Sequence, residues 1–268
     1  MSEAPVPVPG AAEQADLLFE VTDGVATITL NRPAKLNTMT PAMGRSLRQL
    51  VDRINDDDGI RVVVLTGTGT RAFSAGSDVK VLDDYGSNWQ LRNRVDYARM
   101  LWSVRKPVIA KIRGYCIGGG LEMALMSDIR IGDATASFGA GEIKLGWHGG
   151  AGNTQLLPRV MSTGRSLAML LTGDIIDAPT AHRWGLLDYL TEPAELDTFV
   201  TDFAGRIARN APIAAQLAKH LVRVAQSTSL EVGLAYENDT FAYCFTTADA
   251  AEGRKAFADK RPPEFRGR

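Results

Sequence analysis

Cysteine and histidine are scarce in this chain of 268 residues, which has two cysteines and three histidines. The cysteines, Cys116 and Cys244, lie far apart in apolar surroundings. A disulfide framework is therefore excluded, and free thiols in a reducing cytoplasm are expected. No spacing of cysteine, histidine and acidic residues matches a metal-binding motif, so we predict no metal site.

An excess of either charge is also absent, because 30 Lys and Arg residues balance 31 Asp and Glu residues. No run of five like charges occurs, which argues against a nucleic-acid partner and a basic membrane-binding helix. No apolar stretch approaches the ~18 residues that a membrane helix needs. The opening residues, MSEAPVPVPGAAEQ, have acids and prolines where a signal peptide has a basic end and an apolar run. We expect a cytoplasmic protein without a membrane partner, with residues 1–14 as a disordered lead.

The common nucleotide-binding fingerprints are missing as well. A Walker loop needs Gly-Lys-Ser/Thr after four intervening residues, and a Rossmann fingerprint needs GxGxxG directly after the first strand. Neither pattern is present, although two other glycine-rich turns follow apolar runs. A phosphate loop and a dinucleotide-binding domain are therefore excluded.

Alternating strand and helix patterns in the first part of the chain indicate an α/β protein. Asp23 and Gly24 lie between two β-rich runs, which predicts a hairpin. Thr40 and Pro41 predict the cap and the first residue of a helix that ends near Gly59. The predicted strands lie at 17–21, 25–30, 62–66, 108–112 and from residue 129, and helices are predicted from residue 41, after residue 78 and at 121–126.

From residue 154 onward the pattern is mainly helical. Asp177 is a candidate helix cap, and one apolar interlude lies at 185–190. The predicted helices are 162–171, 177–184, 193–207, 212–225, 230–245 and 248–259. We divide the chain into the lead at 1–14, a core at 15–200 and a C-terminal helical oligomerisation region at 201–268.

The stretch from Gly114 to Gly152 carries the strongest chemical signal. Three consecutive glycines at 118–120 follow an apolar run and open a helix, so their amides point at an anion or a developing oxyanion. Glu122 lies in the first turn of that helix, and Glu142 follows twenty residues later. This spacing fits a short helix out and a strand back, which would return the second acid beside the first. Either glutamate alone is commonly structural, but amide donors beside two acids predict proton transfer at a polarised acyl carbonyl.

A second glycine turn lies between the strand at 62–66 and the helix predicted after Asp78. It reads GTGTRAFSAGSDVK, so the amides near Gly76 and Ser77 form another pair of donors at the end of a strand. The bland alternative is that Gly76 only permits a tight turn.

Taken together, the motifs resemble those of the enoyl-CoA hydratase family, the crotonase superfamily. They lie in family order from about residue 17 to residue 267. The resemblance implies an α/β crotonase-like fold of repeated strand-strand-helix turns with a C-terminal helical region, a homotrimer or homohexamer, and a coenzyme A thioester as ligand. The motifs are LNRPAKLNTM, RAFSAGSDVK, GYCIGGGLEMALMSDIRI, ASFGAGEIKLG, GGAGNTQLLPR and TTADAAEGRKAFADKRPPEFRGR.

The resemblance also implies site residues. The oxyanion hole falls on the backbone amides of Ser77 and Gly119, the catalytic acids on Glu122 and Glu142, and the backbone that helps to hold water on Gly150. Ser77 differs from the alanine that is common in the family, but only its amide is needed. Coenzyme A is expected as part of the substrate, with no tightly bound cofactor. Its predicted contacts are Ala34, Lys35, Leu36, Ala75, Asp78 and Lys260, the last from either the same or a neighbouring subunit.

We predict that the protein is an enoyl-CoA hydratase, which adds water reversibly to a 2-enoyl-CoA with two glutamates as acid and base. Double-bond isomerisation and carnitinyl-type dehydration of an acyl-CoA remain alternatives, because they use the same enolate. A non-catalytic acyl-CoA-binding or RNA-binding role is a third, disfavoured by the neutral charge and the intact acid pair.

The acyl group is the least determined part of the prediction. Trp147 and His148 occupy positions that are usually smaller or aliphatic in the family, and residues 81–102 begin with a polar and aromatic half. We expect Trp147 to fill part of the acyl pocket, which favours short or flat acyl groups over long ones. If Trp147 is no pocket wall, the segment around Tyr85 and Trp89 is the alternative.

Overall fold

A computed structural model describes residues 15–268, apart from the side chains of residues 83 and 84. The predicted disordered lead lies outside the described residues. Within residues 15–268 no helix is long and apolar enough to cross a membrane. The described chain forms ten strands: β1 Leu17–Thr22, β2 Val25–Leu30, β3 Val62–Gly67, β4 Ala72–Ser74, β5 Val108–Ile112, β6 Tyr115–Ile117, β7 Ile129–Asp133, β8 Ser137–Gly139, β9 Ile175–Asp177 and β10 Tyr189–Thr191.

Helices connect and cover these strands. In residues 15–268 they are α1 Pro41–Asp56, α2 Asn88–Arg92, α3 Tyr97–Trp102, α4 Gly119–Met126, α5 Asn153–Val160, α6 Thr163–Thr172, α7 Ala178–Trp184, α8 Leu196–Ala208, α9 Pro212–Ala225, α10 Leu230–Phe245 and α11 Ala248–Asp259. Short 3-10 helices lie at Pro33–Lys35, Val79–Asp84 and Gly141–Leu145.

From β3 to β8, successive strands of the chain alternate between two sheets. The larger sheet has the order β1-β2-β3-β5-β7-β10, and the smaller has the order β4-β6-β8-β9. The pairs β3 and β4, β5 and β6, and β7 and β8 therefore each place one strand in each sheet. This confirms the α/β class and the repeated strand-strand-helix turns.

The hairpin of β1 and β2 is the antiparallel edge of the larger sheet. Its turn residues, Asp23 and Gly24, have φ angles of 51° and 78°. The predicted hairpin is therefore confirmed. Its turn forms here because aspartate and glycine tolerate the positive φ angles of the left-handed region.

Alternate residues of the central strands pack against different helices. Val63 and Leu65 of β3 belong to the main core with α1 and α4. Val62 and Val64 pack against α8 on the other face. Because both faces are covered, β3 reads as a continuous apolar run. Helix α8 crosses residue 200, where the core was predicted to end, and packs on the sheet.

Helix α1 forms where its capping signals predict. The Thr40 side chain accepts a hydrogen bond from the Met43 amide, and Pro41 lies in the first turn. Its predicted apolar face is buried, namely Met43, Leu47, Leu50, Val51 and Ile54.

The C-terminal helices have the predicted bounds for α9, α10 and α11, but they pack more loosely than the core. Asp128 holds α9 through ion pairs of 2.6 Å to Lys219 and 2.9 Å to Arg223. Burial nevertheless lowers the pKa of the Lys219 ammonium to about 8. No residue of α10 is buried in the described chain. Its exposed large apolar side chains are Leu230, Val232, Leu234, Tyr236, Phe241, Tyr243 and Phe245.

Three details of local structure differ from the predictions. The segment after Asp78 forms a 3-10 helix, not an α-helix. The apolar interlude at 185–190 leads into β10, which joins the larger sheet beside β7. The helix predicted at 193–207 begins at Leu196.

Candidate active site

The two glycine turns lie side by side because β4 and β6 are parallel neighbours. Gly76 follows β4 and Gly118 follows β6, with φ angles of 85° and 56°. A Cβ atom added to Gly76 would lie 2.5 Å from the Gly119 nitrogen. The close approach and the positive φ angles therefore both require glycine in this arrangement.

The amides of Ser77 and Gly119 are available to a ligand. Neither nitrogen donates a hydrogen bond to another backbone or side-chain group in residues 15–268. Gly119 is also the first residue of α4, whose dipole favours negative charge at this end. The turns thus bring together two donors suited to a developing oxyanion.

Glu122 is placed by the first turn of α4 and is buried, with 4% of its surface exposed. Its Oε1 accepts hydrogen bonds from the amides of Ala151 at 2.6 Å and Asn153 at 3.5 Å. Burial raises the pKa of Glu122 to about 7, and the nearby Glu142 charge adds to the rise, while the two amides oppose it. A carboxyl with a pKa near neutrality is suited to general acid or base chemistry.

Glu142 lies on the 3-10 helix Gly141–Leu145, directly after β8. Its Oε1 accepts a hydrogen bond of 3.0 Å from the Asn153 side-chain amide. Its Oε2 is buried without a hydrogen-bond partner in the described chain. Burial also raises the pKa of this carboxyl. Between Glu122 and Glu142 the chain passes through two strands, β7 and β8. The sequence predicted only one strand there.

Asn153 connects both acids and was not predicted from the sequence. It is fully buried as the first residue of α5, so its backbone amide faces Glu122 and its side chain faces Glu142. Its Oδ1 has no partner among the described residues. The sequence signal that could have found it is its place after the Gly149–Gly152 run, directly before residue 154, where the mainly helical pattern begins. Asn153 thus links the two carboxyl groups through hydrogen bonds. Glu142 Oε2 and Asn153 Oδ1 have no hydrogen-bond partner among the described residues.

Tyr97 is a second unpredicted residue. It begins α3, and its hydroxyl lies 2.9 Å from Ser77 Oγ. A Cβ atom added to Gly119 would collide with this hydroxyl. Burial raises the pKa of Tyr97 above its usual range, so the phenol stays protonated as a donor at neutral pH. The aromatic segment at 81–102 therefore reaches the paired amides.

The role of Trp147 as a pocket wall stays a prediction. Its side chain is 42% exposed, and it is not among the residues that line the cavity beside Ser77. The neighbouring His148 is also exposed, and its Nδ1 is 2.8 Å from the Gly149 oxygen. Tyr85 lines a cavity beside Ser77, whereas Trp89 is 70% exposed.

Most of the predicted coenzyme contacts lie near the Ser77 turn. Ala34 and Lys35 belong to the 3-10 helix Pro33–Lys35, and the Leu36 oxygen accepts a 2.9 Å hydrogen bond from the Ala75 amide. Asp78 pairs with Arg32 at 3.3 Å. Lys260 is the exception. It ends α11, and none of the described contacts joins it to this loop.

Gly150 and Arg94 lie next to each other near Glu122. Gly150 is exposed and lies against the Arg94 guanidinium. Among residues 15–268, no cluster of three histidine, cysteine, aspartate or glutamate side chains could hold a metal ion. The groups available for chemistry are therefore amides, hydroxyls, carboxyls and one arginine.

Comparison with other sequences identifies relatives of nearly full length. The chain is 37% identical over 251 residues to (E)-benzylidenesuccinyl-CoA hydratase of Thauera aromatica, with 93% of this chain and 98% of the relative covered. It is 32% identical over 255 residues to crotonyl-CoA hydratase of Syntrophomonas wolfei, covering 93% and 97%. A third relative, 2,3-dehydroadipyl-CoA hydratase of Escherichia coli, is 36% identical and covers 95% and 100%.

Solved structures agree with these sequences. Enoyl-CoA hydratase from Bacillus anthracis superposes with a TM-score of 0.89 at 34% identity, covering 94% of this chain and all of the other. An enoyl-CoA hydratase subunit from Geobacillus kaustophilus gives 0.89 at 33% identity, covering 96% and 100%. The family model described as enoyl-CoA hydratase/isomerase matches residues 20–268. With this match over residues 20–268 and these relatives of nearly full length, the chain belongs to the enoyl-CoA hydratase/isomerase family.

Proposed function

We propose that this protein adds water reversibly to the double bond of a 2-enoyl-CoA thioester. The observation that carries the proposal is the bridge through Asn153 between Glu122 and Glu142, beside the open amides of Ser77 and Gly119. Hydration needs two proton-transfer groups and a site for the enolate oxygen. This arrangement supplies all three.

The proposed mechanism begins with the thioester oxygen between the two amides. Glu122, as carboxylate, removes a proton from water while the oxygen of that water bonds to the β-carbon. The electron pair of the double bond moves to the thioester oxygen as an enolate, which the amides stabilise. Glu142 then gives its proton to the α-carbon. Burial raises the pKa of both carboxyls, and the charge of Glu142 adds to the rise at Glu122.

Coenzyme binding is part of the proposal. The loop of Ala34, Lys35 and Leu36 is hydrogen-bonded to the Ser77 turn through Ala75, so a thioester on the amides would run past it. Lysine suits phosphate as a point charge. Lys260 would contribute from a neighbouring subunit, since its own chain leaves it apart from that loop. Coenzyme A would enter and leave with the acyl group.

Assembly into a trimer or hexamer completes the proposal. The apolar side chains of α10 are exposed in the single chain, and α10 and α11 supply a surface for a second copy. Large exposed apolar patches mark protein interfaces. The two free cysteines support a cytoplasmic location.

Product analysis on a panel of acyl-CoA substrates tests the reaction. We expect 2-enoyl-CoA to lose its conjugated absorbance and to give a 3-hydroxyacyl-CoA that is heavier by one water in mass spectrometry. Conversion of 3-enoyl-CoA into conjugated product without hydrated product would identify an isomerase instead. Tight acyl-CoA binding without turnover across the panel would indicate a binding protein.

The acyl group is the open part of this proposal. The names of the relatives range from crotonyl to 2,3-dehydroadipyl and (E)-benzylidenesuccinyl thioesters, so they do not select one acyl group for this chain. The preference for short or flat acyl groups stays a prediction.

A further inference from the structure

The hydroxyl of Tyr97 lies beside both residues whose amides form the proposed oxyanion hole. Its oxygen is 2.9 Å from Ser77 Oγ. It also occupies the space that a Cβ atom would need at Gly119, because such an atom would collide with the hydroxyl. Only glycine at this position therefore lets the phenol approach the backbone. The proposed mechanism uses the two amides and the two acids and leaves this hydroxyl without a role.

Packing and a helix cap hold the tyrosine in this position. Tyr97 packs against the main hydrophobic core as the first residue of α3. The preceding residue, Asp96, caps the helix, since its side chain accepts a 3.0 Å hydrogen bond from the Arg99 amide. The phenol is thus oriented before a substrate binds, and a preorganised donor needs no reorganisation during the reaction.

The hydroxyls of Ser77 and Tyr97 together have a donor to spare. Each hydroxyl can donate one hydrogen bond. Apart from the side chains of residues 83 and 84, the described residues offer neither Ser77 Oγ nor Tyr97 Oη a partner beyond the bond that joins them. Whichever hydroxyl donates within the pair, one O–H group remains for a ligand. Burial, reinforced by the nearby charges of Glu122 and Asp96, raises the pKa of Tyr97 above its usual range, so the phenol keeps its proton.

The charge that develops in the reaction determines what a third donor would do. A thioester oxygen has two lone pairs, and the two amides suffice for them. As an enolate, the same oxygen carries a further lone pair and a negative charge. A third donor therefore stabilises the enolate more than the bound thioester, and such differential binding raises kcat without lowering KM.

A ligand oxygen that accepts hydrogen bonds from both amides lies next to the Tyr97 hydroxyl, because that hydroxyl borders Ser77 and Gly119. We propose that Tyr97 is a third donor of the oxyanion hole, with its O–H group bonded to the enolate oxygen. The Ser77 hydroxyl then donates to Tyr97 Oη, which polarises the phenol and strengthens its hydrogen bond. This inference rests on the proposed function, because the enolate forms only when a thioester lies at the two amides.

Kinetics of Tyr97→Phe, which removes the hydroxyl and keeps the ring, test the third donor. With 2-butenoyl-CoA, kcat should fall by about 10- to 100-fold, as for a lost hydrogen bond to a charged group. KM should change by less than about threefold, because the bound thioester needs only the amides. Ser77→Ala keeps its amide and should lower kcat less than Tyr97→Phe does. The double variant should resemble Tyr97→Phe alone, because the two hydroxyls act as a unit.

Acetoacetyl-CoA measures enolate stabilisation without turnover. Its ionised form is an enolate that absorbs in the near ultraviolet, so a pH titration of the bound ligand gives its apparent pKa. In Tyr97→Phe this pKa should be about one to two units above that in wild type, which corresponds to a roughly 10- to 100-fold loss of enolate stabilisation. Affinity for butyryl-CoA, which remains a thioester, should be equal in both proteins. A side chain that only packs would not change the enolate pKa selectively.

Tyr189→Phe is the matched control. The ring of Tyr189, on β10, packs against Phe199 and Phe203 of α8, so loss of its hydroxyl should change neither kcat nor the enolate pKa. Thermal unfolding of each variant checks folding. An unchanged enolate pKa in Tyr97→Phe would overturn the inference, whatever the change in kcat, and would leave the proposed hydration intact. A higher KM at unchanged kcat would also overturn it, since it indicates a contact with the bound thioester.

Failure of the proposed function would look different, because wild type would hydrate no 2-enoyl-CoA. The acetoacetyl-CoA titration then decides the inference. A higher enolate pKa in Tyr97→Phe than in wild type supports a third donor. Equal pKa values, or no enolate on binding to wild type, overturn it.

Discussion

The region at 114–153 and the C-terminal helices α9–α11 depart from ordinary packing in opposite ways. The first buries polar atoms and leaves some of them unpaired, as at Glu142 Oε2 and Asn153 Oδ1. The second leaves large apolar side chains exposed, including Phe257 at 87%. Both arrangements cost free energy in an isolated chain, because burying an unpaired polar atom and exposing an apolar side chain to water are each unfavourable. The difference separates a buried polar site from an exposed apolar surface, and we propose an acyl-CoA for the first and a second copy of the chain for the second.

The largest expected effect is the loss of turnover when either acid of the region at 114–153 is removed. We expect Glu122→Gln and Glu142→Gln each to reduce kcat by about 10²- to 10⁴-fold, because a general base or acid is lost. Affinity for a saturated acyl-CoA should change only a few fold. Steady-state kinetics and calorimetry measure the two effects, with the exposed Glu195→Gln as control. Retention of more than about a tenth of wild-type activity would contradict the assigned role.

A charge introduced on α10 should disrupt the proposed contact between subunits. Phe241 is 63% exposed in the single chain, and its burial between subunits would contribute roughly 1.5–3 kcal/mol. We expect wild type to be a trimer or hexamer and Phe241→Glu to dissociate it, as measured by light scattering at micromolar concentration. Thr22→Glu adds the same charge on the exposed hairpin and should leave the mass unchanged. A monomeric wild type would show that these apolar side chains serve another purpose.

Asn153→Ala should show how much the hydrogen bond between Asn153 and Glu142 contributes to turnover. The variant keeps the backbone amide that faces Glu122 but loses the side-chain bond to Glu142. We expect kcat to fall by about 10- to 100-fold, the size of a lost hydrogen bond to a charged group. Asn210→Ala, at the end of α8, is a surface control. An unchanged kcat would mean that Glu142 needs no support from Asn153.

The pH profile should report the burial of the acids. Because Glu122 must be ionised to accept a proton and its pKa is about 7, kcat/KM should rise with pH up to about 7. Below that value it should fall about tenfold per pH unit. At higher pH it should fall again, because Glu142 must carry the proton that it gives to the α-carbon. The negative charge of Glu142 raises the Glu122 pKa, so the midpoint in Glu142→Gln should move to lower pH. A midpoint near the ordinary glutamate value would show that Glu122 is not desolvated in the working enzyme.

Local signals predicted some elements well and others not at all. The cap at Thr40, the Asp23-Gly24 turn and the bounds of α9–α11 follow from contacts between residues close in the sequence. Strands β4, β6, β8 and β9 have three residues each, too few to show a period of two. They exist because neighbouring strands pair with them, in parallel for β4, β6 and β8 and antiparallel for β9. Such pairing joins residues distant in the chain.

The sequence by itself determined the family, the two glycine turns and the presence of two acids at a set spacing, because these depend on residue type and order. Only the tertiary structure decided which side chains meet. It brought Tyr97 and Arg94 to the Ser77 turn, joined both acids through Asn153 and left Trp147 at the surface. The physical reason is that a pKa near 7 and a cavity wall arise from burial, and burial is set by elements that pack from distant parts of the chain.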